Sequence, residues 1–578
     1  METFQSLLAN KLSGALIAAG LPNAGEVTPA TDPRFGDYQT NAALVLAKQR
    51  GEKPRDVAEK ILTHLEVSDI SEKPTIAGAG FINFTLRPEA IARKAIEILA
   101  DERLGVARSP SPKKIVIDFG SPNVAKPMHI GHIRSTVLGD ALARIAQFLG
   151  HEVIRDNHIG DWGTQFGMVI WGWRNLIDRP ALERDPIAEI VRIYKETNDR
   201  STGDPAVREA CRQELVKLQS GDPENFAIWR QCVELSMQDF ERIYGLLDIH
   251  YDIQRGESFY NDRLPDVVER LLKSEIAEIS EDAVCVFFRD IPELADKPCI
   301  IRKRDGGFNY ATTDVATVDY RINDLKADTI WIVTGAPQIL HFKQIFEIAR
   351  REGYKADFRH LTNGSILGED RKLMKTRSGD NVPLREVLDE AVLRARKIVD
   401  EKNPDLSDAD KTEIAQKIGI GAVKYYDLSQ YRMTDYVFSW DRMLSLQGNT
   451  APYLQNAYVR VRSIFRKAGA PAGKIDPPKD GFAVANKLIL TEATEINLAK
   501  RLAQFAEVVP QVLNDFRPNI LANYLFELAN SFHAFYEACP VLKSDEPVRG
   551  SRLALSELTG RVLQRGLDLL GIKVPEKM

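Results

Sequence analysis

Apolar residues recur along this chain at more than one spacing, and the changes of spacing mark its elements. Phe4, Leu8 and Leu12 fall at helical intervals, and Ala42 to Ala47 is a second apolar helical stretch. Phe81-Ile82-Asn83-Phe84 follows Gly78-Ala79-Gly80 and predicts a strand, so the first hundred residues read as a small α/β unit. Ser109-Pro110-Ser111-Pro112 then predicts a loop. From Lys114 the pattern changes to short, nearly continuous apolar runs. Ile115-Val116-Ile117-Asp118-Phe119 is such a run, as expected of a strand buried in a parallel sheet. After a turn at Gly120, Ser121 and Pro122, a helix is predicted from about Gly131 to Phe148. Ile133, Val137, Ala141 and Ile145 share one of its faces, and Gly150 stops it. Val153-Ile154 is the next strand, and strand, helix, strand implies a βαβ unit of the doubly wound type. The pattern returns at Thr329-Ile330-Trp331-Ile332-Val333, followed by a helix from about Leu340 to Arg351. The stretch between, about 171–300, has mostly helical spacing and is expected to be a helical insertion. Beyond about Leu406 the chain reads as helical, interrupted by a Pro/Gly-rich loop from Ala468 to Gly481.

These patterns predict a Rossmann-type doubly wound parallel sheet with a helical insertion. A small N-terminal α/β domain is expected over 1–107, the sheet domain over 108–440 and an all-helical domain over 441–578. At 578 residues the chain exceeds what one core supports. The net charge of −5 announces no nucleic-acid partner, but a multidomain chain can keep a basic groove on an acidic body. Cys211, Cys232, Cys285, Cys299 and Cys539 form no C-x-x-C pair, so neither a zinc ribbon nor a disulfide framework is expected. No basic leader precedes an apolar core, and no uncharged apolar run has the length of a membrane span. The expected compartment is the cytoplasm.

The sharpest chemistry sits where the first buried strand hands over to its helix, at Pro127-Met128-His129-Ile130-Gly131-His132. Two histidines at i and i+3 share one face of a helix start, where free N–H groups and the dipole favour anions. Gly131 leaves room for a base or phosphate to approach the backbone. An isolated H-x-x-H is equally a pair of surface histidines or a stray metal site; the position beyond the carboxyl end of a buried strand favours a ligand site. A second cluster, Lys372-Leu373-Met374-Lys375-Thr376-Arg377-Ser378-Gly379, puts three cations in a polar loop suited to a triphosphate. Tyr310 and Asp314 stand at helical spacing, Asp118 ends the first strand and Gln338 follows the Trp331 strand. In the C-terminal part, Tyr453 and Tyr458 interleave with Arg460, Arg462, Arg466 and Lys467, which suits base stacking plus phosphate contact.

His129-Ile130-Gly131-His132 resembles the HIGH signature of class I aminoacyl-tRNA synthetases. Its flanks, Ser121-Pro122-Asn123-Val124-Ala125-Lys126-Pro127 and Ile133-Arg134-Ser135-Thr136, resemble the arginyl-tRNA synthetases in particular. So do Gly160-Asp161-Trp162-Gly163-Thr164-Gln165-Phe166-Gly167, Gly36-Asp37-Tyr38-Gln39-Thr40-Asn41 and Ala77-Gly78-Ala79-Gly80-Phe81-Ile82-Asn83-Phe84. The blocks run in family order over nearly the whole chain, with the insertion matching least.

The resemblance implies a two-step reaction. L-arginine and ATP, entering with Mg²⁺, give arginyl-adenylate, and the arginyl group passes to the terminal 2′-hydroxyl of tRNA(Arg). Activation is expected to require bound tRNA. Lys372 to Gly379 resembles a degenerate KMSKS signature whose second lysine falls on Thr376, and Lys126 is implied to supply the missing charge. Lys126, His129, His132, Lys375 and Arg377 are the implied catalytic residues, with His129, Gly131, His132, Met374 and Lys375 on ATP. Asp118, Asn123, Tyr310, Asp314 and Gln338 map onto the arginine pocket, although the family often has glutamate where Asp118 stands. Phe81 and Asn83 fall in the segment implied to touch the tRNA elbow. Tyr453, Arg460, Tyr536 and Met578 fall in the part resembling an anticodon-binding domain. No structural metal is expected, and a monomer is usual for the family. Two other readings stay open: a relative that activates another amino acid or transfers a nucleotide without tRNA, and a non-catalytic RNA-binding relative.

Overall fold

The computed structural model describes residues 1–375, 381–469 and 488–578. They fall into two compact units. One comprises Met1–Arg108, Ser445–Asp568 and Lys573–Met578; the other comprises Ser109–Leu444 and Leu569–Ile572.

The second unit is built on a parallel sheet of five strands: β1 (Lys114–Asp118), β2 (Glu152–Ile159), β3 (Ile253–Gly256), β4 (Thr329–Gly335) and β5 (Asp357–Asn363). Their spatial order is β5-β4-β1-β2-β3. This is the 3-2-1-4-5 order of a doubly wound fold, whose chain reverses direction across the sheet between β1 and β4. Ile115, Val116 and Ile117 of β1 and Ile330 to Val333 of β4 are buried, which is why both read as continuous apolar runs. Five helices matter for the site: α1 (Gly131–Phe148), α2 (Pro186–Gly203), α3 (Pro223–Leu246), α4 (Tyr310–Asn323) and α5 (Ile339–Arg351).

Two expectations need correction. The strand read at Val153-Ile154 extends through Ile159, because Asp156 and Asn157 are buried in it with polar partners and break the apolar pattern. The stretch 171–300 is not one helical insertion. A first run of helices ends at Leu246, the sheet strand β3 follows, and one more helix, Leu264–Lys273, comes after it. A three-stranded antiparallel sheet then forms from Glu278–Ser280, Ala283–Val286 and Cys299–Arg302. Strands of three or four residues are too short for a period to show.

Leu570 and Ile572, from near the carboxyl end, are buried in this unit. A Cβ built on Gly571 would lie 2.7 Å from both Asp140 Oδ2 on α1 and Lys424 Nζ. Lys424, on the helix Asp408–Leu428, is fully buried and donates to the Leu247 carbonyl at 2.7 Å.

The other unit joins the amino-terminal segment to the C-terminal helices. A four-stranded antiparallel sheet is ordered Val27–Pro29, Tyr38–Thr40, Phe81–Phe84, Thr75–Ala77. The Tyr38 hydroxyl reaches the Glu507 carboxylate at 3.0 Å, Lys500 pairs with Asp37 at 2.7 Å, and Arg561 donates to the Asp101 carbonyl at 2.9 Å. The Pro/Gly-rich stretch expected to be a loop lies, from residue 470 on, outside the described residues.

Candidate active site

The site forms at the carboxyl ends of β1, β2 and β4, around the start of α1. His129 Nδ1 accepts the Gly131 N–H at 3.1 Å, and His132 Nδ1 accepts the His129 N–H at 3.0 Å. Acceptance at Nδ1 puts the proton of the neutral His129 ring on Nε2; His132 Nδ1 also lies 3.3 Å from the His129 carbonyl, and its shorter contact with the His129 N–H favours the same tautomer. Burial lowers the pKa of His129. It pushes His132 down to about 4, helped by the neighbouring His129 ring at a centroid distance of 3.9 Å. At neutral pH the pair therefore acts as two uncharged N–H donors rather than two cations. A Cβ on Gly131 would come within 2.9 Å of His129 Cε1, so a side chain there would push that ring aside.

The loop from β1 to α1 is held on two sides. On one, Val124 N donates to the Gly160 carbonyl at 3.0 Å and Gly160 N to Pro122 at 3.1 Å, so the Asn123 side chain lies over Gly160 at the end of β2. On the other, the N–H of Ala125 donates to Ser236 Oγ on α3 at 3.1 Å. Ser121 (φ 44°) and Ala125 (φ 63°) are both left-handed, a conformation that costs an alanine about 1–2 kcal/mol. Lys126 is exposed, with Nζ 5.9 Å from the ring centroid of Tyr194 on α2.

Main-chain hydrogen bonds bring the second cluster to the first. Ile130 N donates to Val382 O and Leu384 N to Met128 O, each at 2.8 Å. Lys375, exposed, bridges Asn381, and Met374 N donates to Ile366 O at 3.3 Å. Ile366–Leu367 pairs in parallel with Tyr436–Val437. Arg134, buried one turn into α1, secures that pairing: it donates to the carbonyls of Thr434 (2.9 Å) and Arg432 (3.2 Å) and pairs with Asp427 at 2.9 Å. Arg377, with residues 376–380, lies outside the described residues.

The acidic candidates separate into two groups. Asp314 Oδ2 is hydrogen-bonded to His341 Nε2 on α5, His158 Nε2 of β2 lies 3.9 Å from its other oxygen, and the Tyr310 ring packs on His341 at 4.7 Å. Glu257, just after β3, is pushed up to about 8 by burial and then by the charges of Asp314 and Asp161. Asp118 belongs elsewhere. Its carboxylate accepts from Arg321 at 2.6 Å and from Ser121 Oγ at 2.7 Å, and the buried Arg321 also donates to Asp156 at 2.9 Å. Expected to face a ligand, Asp118 has both oxygens engaged internally because the shorter aspartate stops at Arg321. Gln338 is exposed in the turn 336–338 that leads into α5. Sequence reasoning missed His158, Glu257 and His341. Had the strand been extended past Ile154, His158 would have marked its carboxyl end; Glu257 carries no local signal.

In the other unit, Phe81 lines a cavity of about 530 Å³ with Gln39, Asn41, Asn23 and Glu26. Asn83, two residues on and on the same strand face, is only 3% exposed, and its amide has no hydrogen-bond partner among the described residues. The Tyr453 hydroxyl bonds Asn530 Oδ1 (2.6 Å) and His533 Nδ1 (2.8 Å). Arg460 is exposed with its guanidinium 6.0 Å from the Tyr536 ring centroid, and Met578 is half-buried. Tyr458, Arg462 and Arg466 do not form the expected stacking and phosphate-binding face. They bind Glu576, through its carboxylate and its carbonyl, and hold down the terminal segment.

Three family models match the chain. Residues 2–86 match the arginyl tRNA synthetase N terminal domain, 94–440 the catalytic domain of tRNA synthetases class I (R), and 454–578 the DALR anticodon binding domain. The arginine–tRNA ligase of Thermobifida fusca is 47% identical over 99% of both chains. That of Synechococcus elongatus is 45% identical, covering 96% of this chain and 95% of its own. Among solved structures, arginyl-tRNA synthetases from Plasmodium falciparum (TM-score 0.84, 28% identity) and Thermus thermophilus (TM-score 0.82, 27% identity) each align over 100% of both chains.

Proposed function

The chain belongs to the arginyl-tRNA synthetase family, whose activity is the ATP-dependent joining of arginine to tRNA, and on that premise we propose how its own residues divide the work. The arginine carboxylate attacks the α-phosphorus of ATP, the bond to the β-phosphate oxygen breaks, and pyrophosphate leaves. The 2′-hydroxyl of the terminal adenosine then takes the arginyl group and AMP departs. No covalent enzyme intermediate is needed, so the protein positions reactants and stabilises phosphate charge. The Nε2–H groups of His129 and His132 donate to the phosphates, and Lys126, Lys375 and Arg377 supply positive charge. Gly131 and Met374 border the adenosine. Mg²⁺ arrives with the nucleotide as part of the substrate.

Asp314, oriented by His341, receives the guanidinium; Tyr310 and Gln338 flank it, and Asn123 faces the substrate carboxylate. Asp118 acts at one remove, through its ion pair with Arg321. The observation that supports this reading best is the pair of main-chain bonds joining Met128 and Ile130 to residues 382–384. They hold residues 382–384, which follow the basic cluster in the chain, against the helix start with no side chain involved. The test is charging of total tRNA with each radiolabelled amino acid in turn: arginine alone is expected to give product, and equal charging by a second amino acid overturns the reading.

Residues 1–107 are assigned to the tRNA elbow, through Phe81 and the unpartnered amide of Asn83. Residues 441–578 are assigned to the anticodon, through Tyr453, Arg460, Tyr536 and Met578. Among the described residues no helix is long and apolar enough to cross a membrane; a cytoplasmic monomer is the proposed working form.

Two expected results test the catalytic reading. Lys126→Ala lowers tRNA-dependent ATP–pyrophosphate exchange at least about tenfold, roughly 1.4 kcal/mol of transition-state stabilisation; exchange at the wild-type rate removes Lys126 from the mechanism. The second concerns Glu257, which is protonated in the empty pocket up to about pH 8. An incoming guanidinium favours its ionised form, so binding releases a proton, and the KM for arginine falls as pH rises from about 6.5 to 8. Calorimetry at pH 7 in buffers of different ionisation enthalpy reads this directly, and a binding heat independent of buffer rejects it.

A further inference from the structure

The helices between β2 and β3 lie beside the loop that carries Lys126, and the contact is specific. Trp229, Cys232, Ser236 and Tyr244 recur every three, four or eight residues on α3, so they share one face. That face reaches the loops after both β1 and β2. Trp229 Nε1 donates to the Asp161 carbonyl at 2.8 Å, and the Tyr244 hydroxyl accepts from Asn157 Nδ2 at 3.3 Å. Between them the fully buried Ser236 accepts a hydrogen bond from the N–H of Ala125 and donates its own O–H to the Cys232 carbonyl at 2.8 Å.

Ala125 is the residue that most needs such a partner. It is left-handed, buried and non-glycine, with no side-chain polar atom to stabilise that conformation locally. Its ψ and the φ of Lys126 set where the lysine side chain departs. Without the Ser236 oxygen, the Ala125 N–H would be a buried donor with no acceptor, and relaxation to an ordinary conformation would swing Lys126 away. From α2, the Tyr194 ring faces the ammonium at 5.9 Å, within range of a cation–π attraction.

We propose that Ser236 is a positioning residue for Lys126, so that the helices inserted between β2 and β3 set the direction of the charge presented to the triphosphate. The proposal rests on the reading of Lys126 as the group that stabilises phosphate charge. Ser236 is fully buried, and it acts through the Ala125 peptide.

A double-mutant cycle on the full-length chain tests it, reading tRNA-dependent ATP–pyrophosphate exchange with thermal unfolding in parallel. Ser236→Ala lowers kcat about fivefold and leaves the KM for arginine unchanged, while Ser236→Thr, which keeps the hydroxyl, recovers most of the rate. In a Lys126→Ala background the same Ser236→Ala change costs less than about twofold, because the group it served is gone. Tyr194→Leu, which breaks no buried hydrogen bond, shows the same dependence on Lys126 with a loss of about threefold. A full, multiplicative loss from both changes in the Lys126→Ala background overturns the positioning role. So does a wild-type rate for Ser236→Ala. Lys126→Ala at the wild-type rate instead refutes the assignment of Lys126 itself, and the two failures are told apart by that single variant.

Discussion

Asp314→Ala raises the KM for arginine about a hundredfold or more and leaves the KM for ATP within about twofold, a loss of roughly 3 kcal/mol or more for a carboxylate that meets a guanidinium in a partly desolvated site. The size of the effect follows from the surroundings. Asp314 is held by His341 on α5, with His158 3.9 Å from its other oxygen, so its position is fixed before a ligand arrives. Its removal leaves Glu257 as the pocket's remaining acid, and burial, the largest cause of its raised pKa, still opposes its ionisation, which makes it a weak substitute. Asp314→Asn, which keeps the shape and loses the charge, is expected to lie close to the alanine variant. Separate titrations of arginine and ATP in the exchange assay decide the matter: equal losses for both substrates point to general damage and remove Asp314 from the pocket.

Arg321→Ala is expected to destabilise the catalytic unit by about 3–5 kcal/mol, the cost of leaving a buried charge without its partner. Arg321 is 1% exposed and donates to Asp118 and Asp156, which face each other on β1 and β2. Without it two carboxylates stand side by side in a dry environment. Burial already raises the pKa of Asp156, and loss of the guanidinium, which holds it down, raises it further. A carboxyl whose folded pKa lies above its unfolded value binds more protons when folded, so the variant's deficit shrinks as the pH falls through those raised values and is largest above them. Denaturant unfolding at about pH 5 and pH 8 measures both parts. A loss below about 1 kcal/mol at pH 8 would mean the two acids are already neutral, and the charge cluster would not exist as described.

The sheet was legible where burial is complete on both faces. β1 and β4 announce themselves as apolar runs, and α1 and α5 as helices with a single apolar stripe. β2 was cut short because the very residues that pair with Arg321 and α3 interrupt its apolar pattern. β3 and the three-stranded sheet are too brief to show a period at all. The site divides in the same way. His129, Gly131 and His132 were readable because their chemistry is local to one helix start. The engagement of Asp118 by Arg321, and the placing of Glu257, His158 and His341 beside Asp314, did not show because each depends on a partner on another element, 27 to 203 positions away. The pairing of residues 382–384 with Met128 and Ile130 has no side-chain signature, so only the folded backbone reveals it.

The catalytic unit is discontinuous in the chain, and this has a consequence for how the protein is made. Asp140 and Lys424 belong to Ser109–Leu444, yet the backbone that lies against them, around Gly571, is translated only after Ser445–Asp568. A nascent chain can assemble the parallel sheet early, since domains form as their residues emerge. It cannot seal the flank of α1 until the ribosome has passed the helices of the other unit. Throughout that interval a buried-type lysine and aspartate face water, and the enzyme's nucleotide-binding half closes only when Leu569–Ile572 emerge, a few residues before the chain ends.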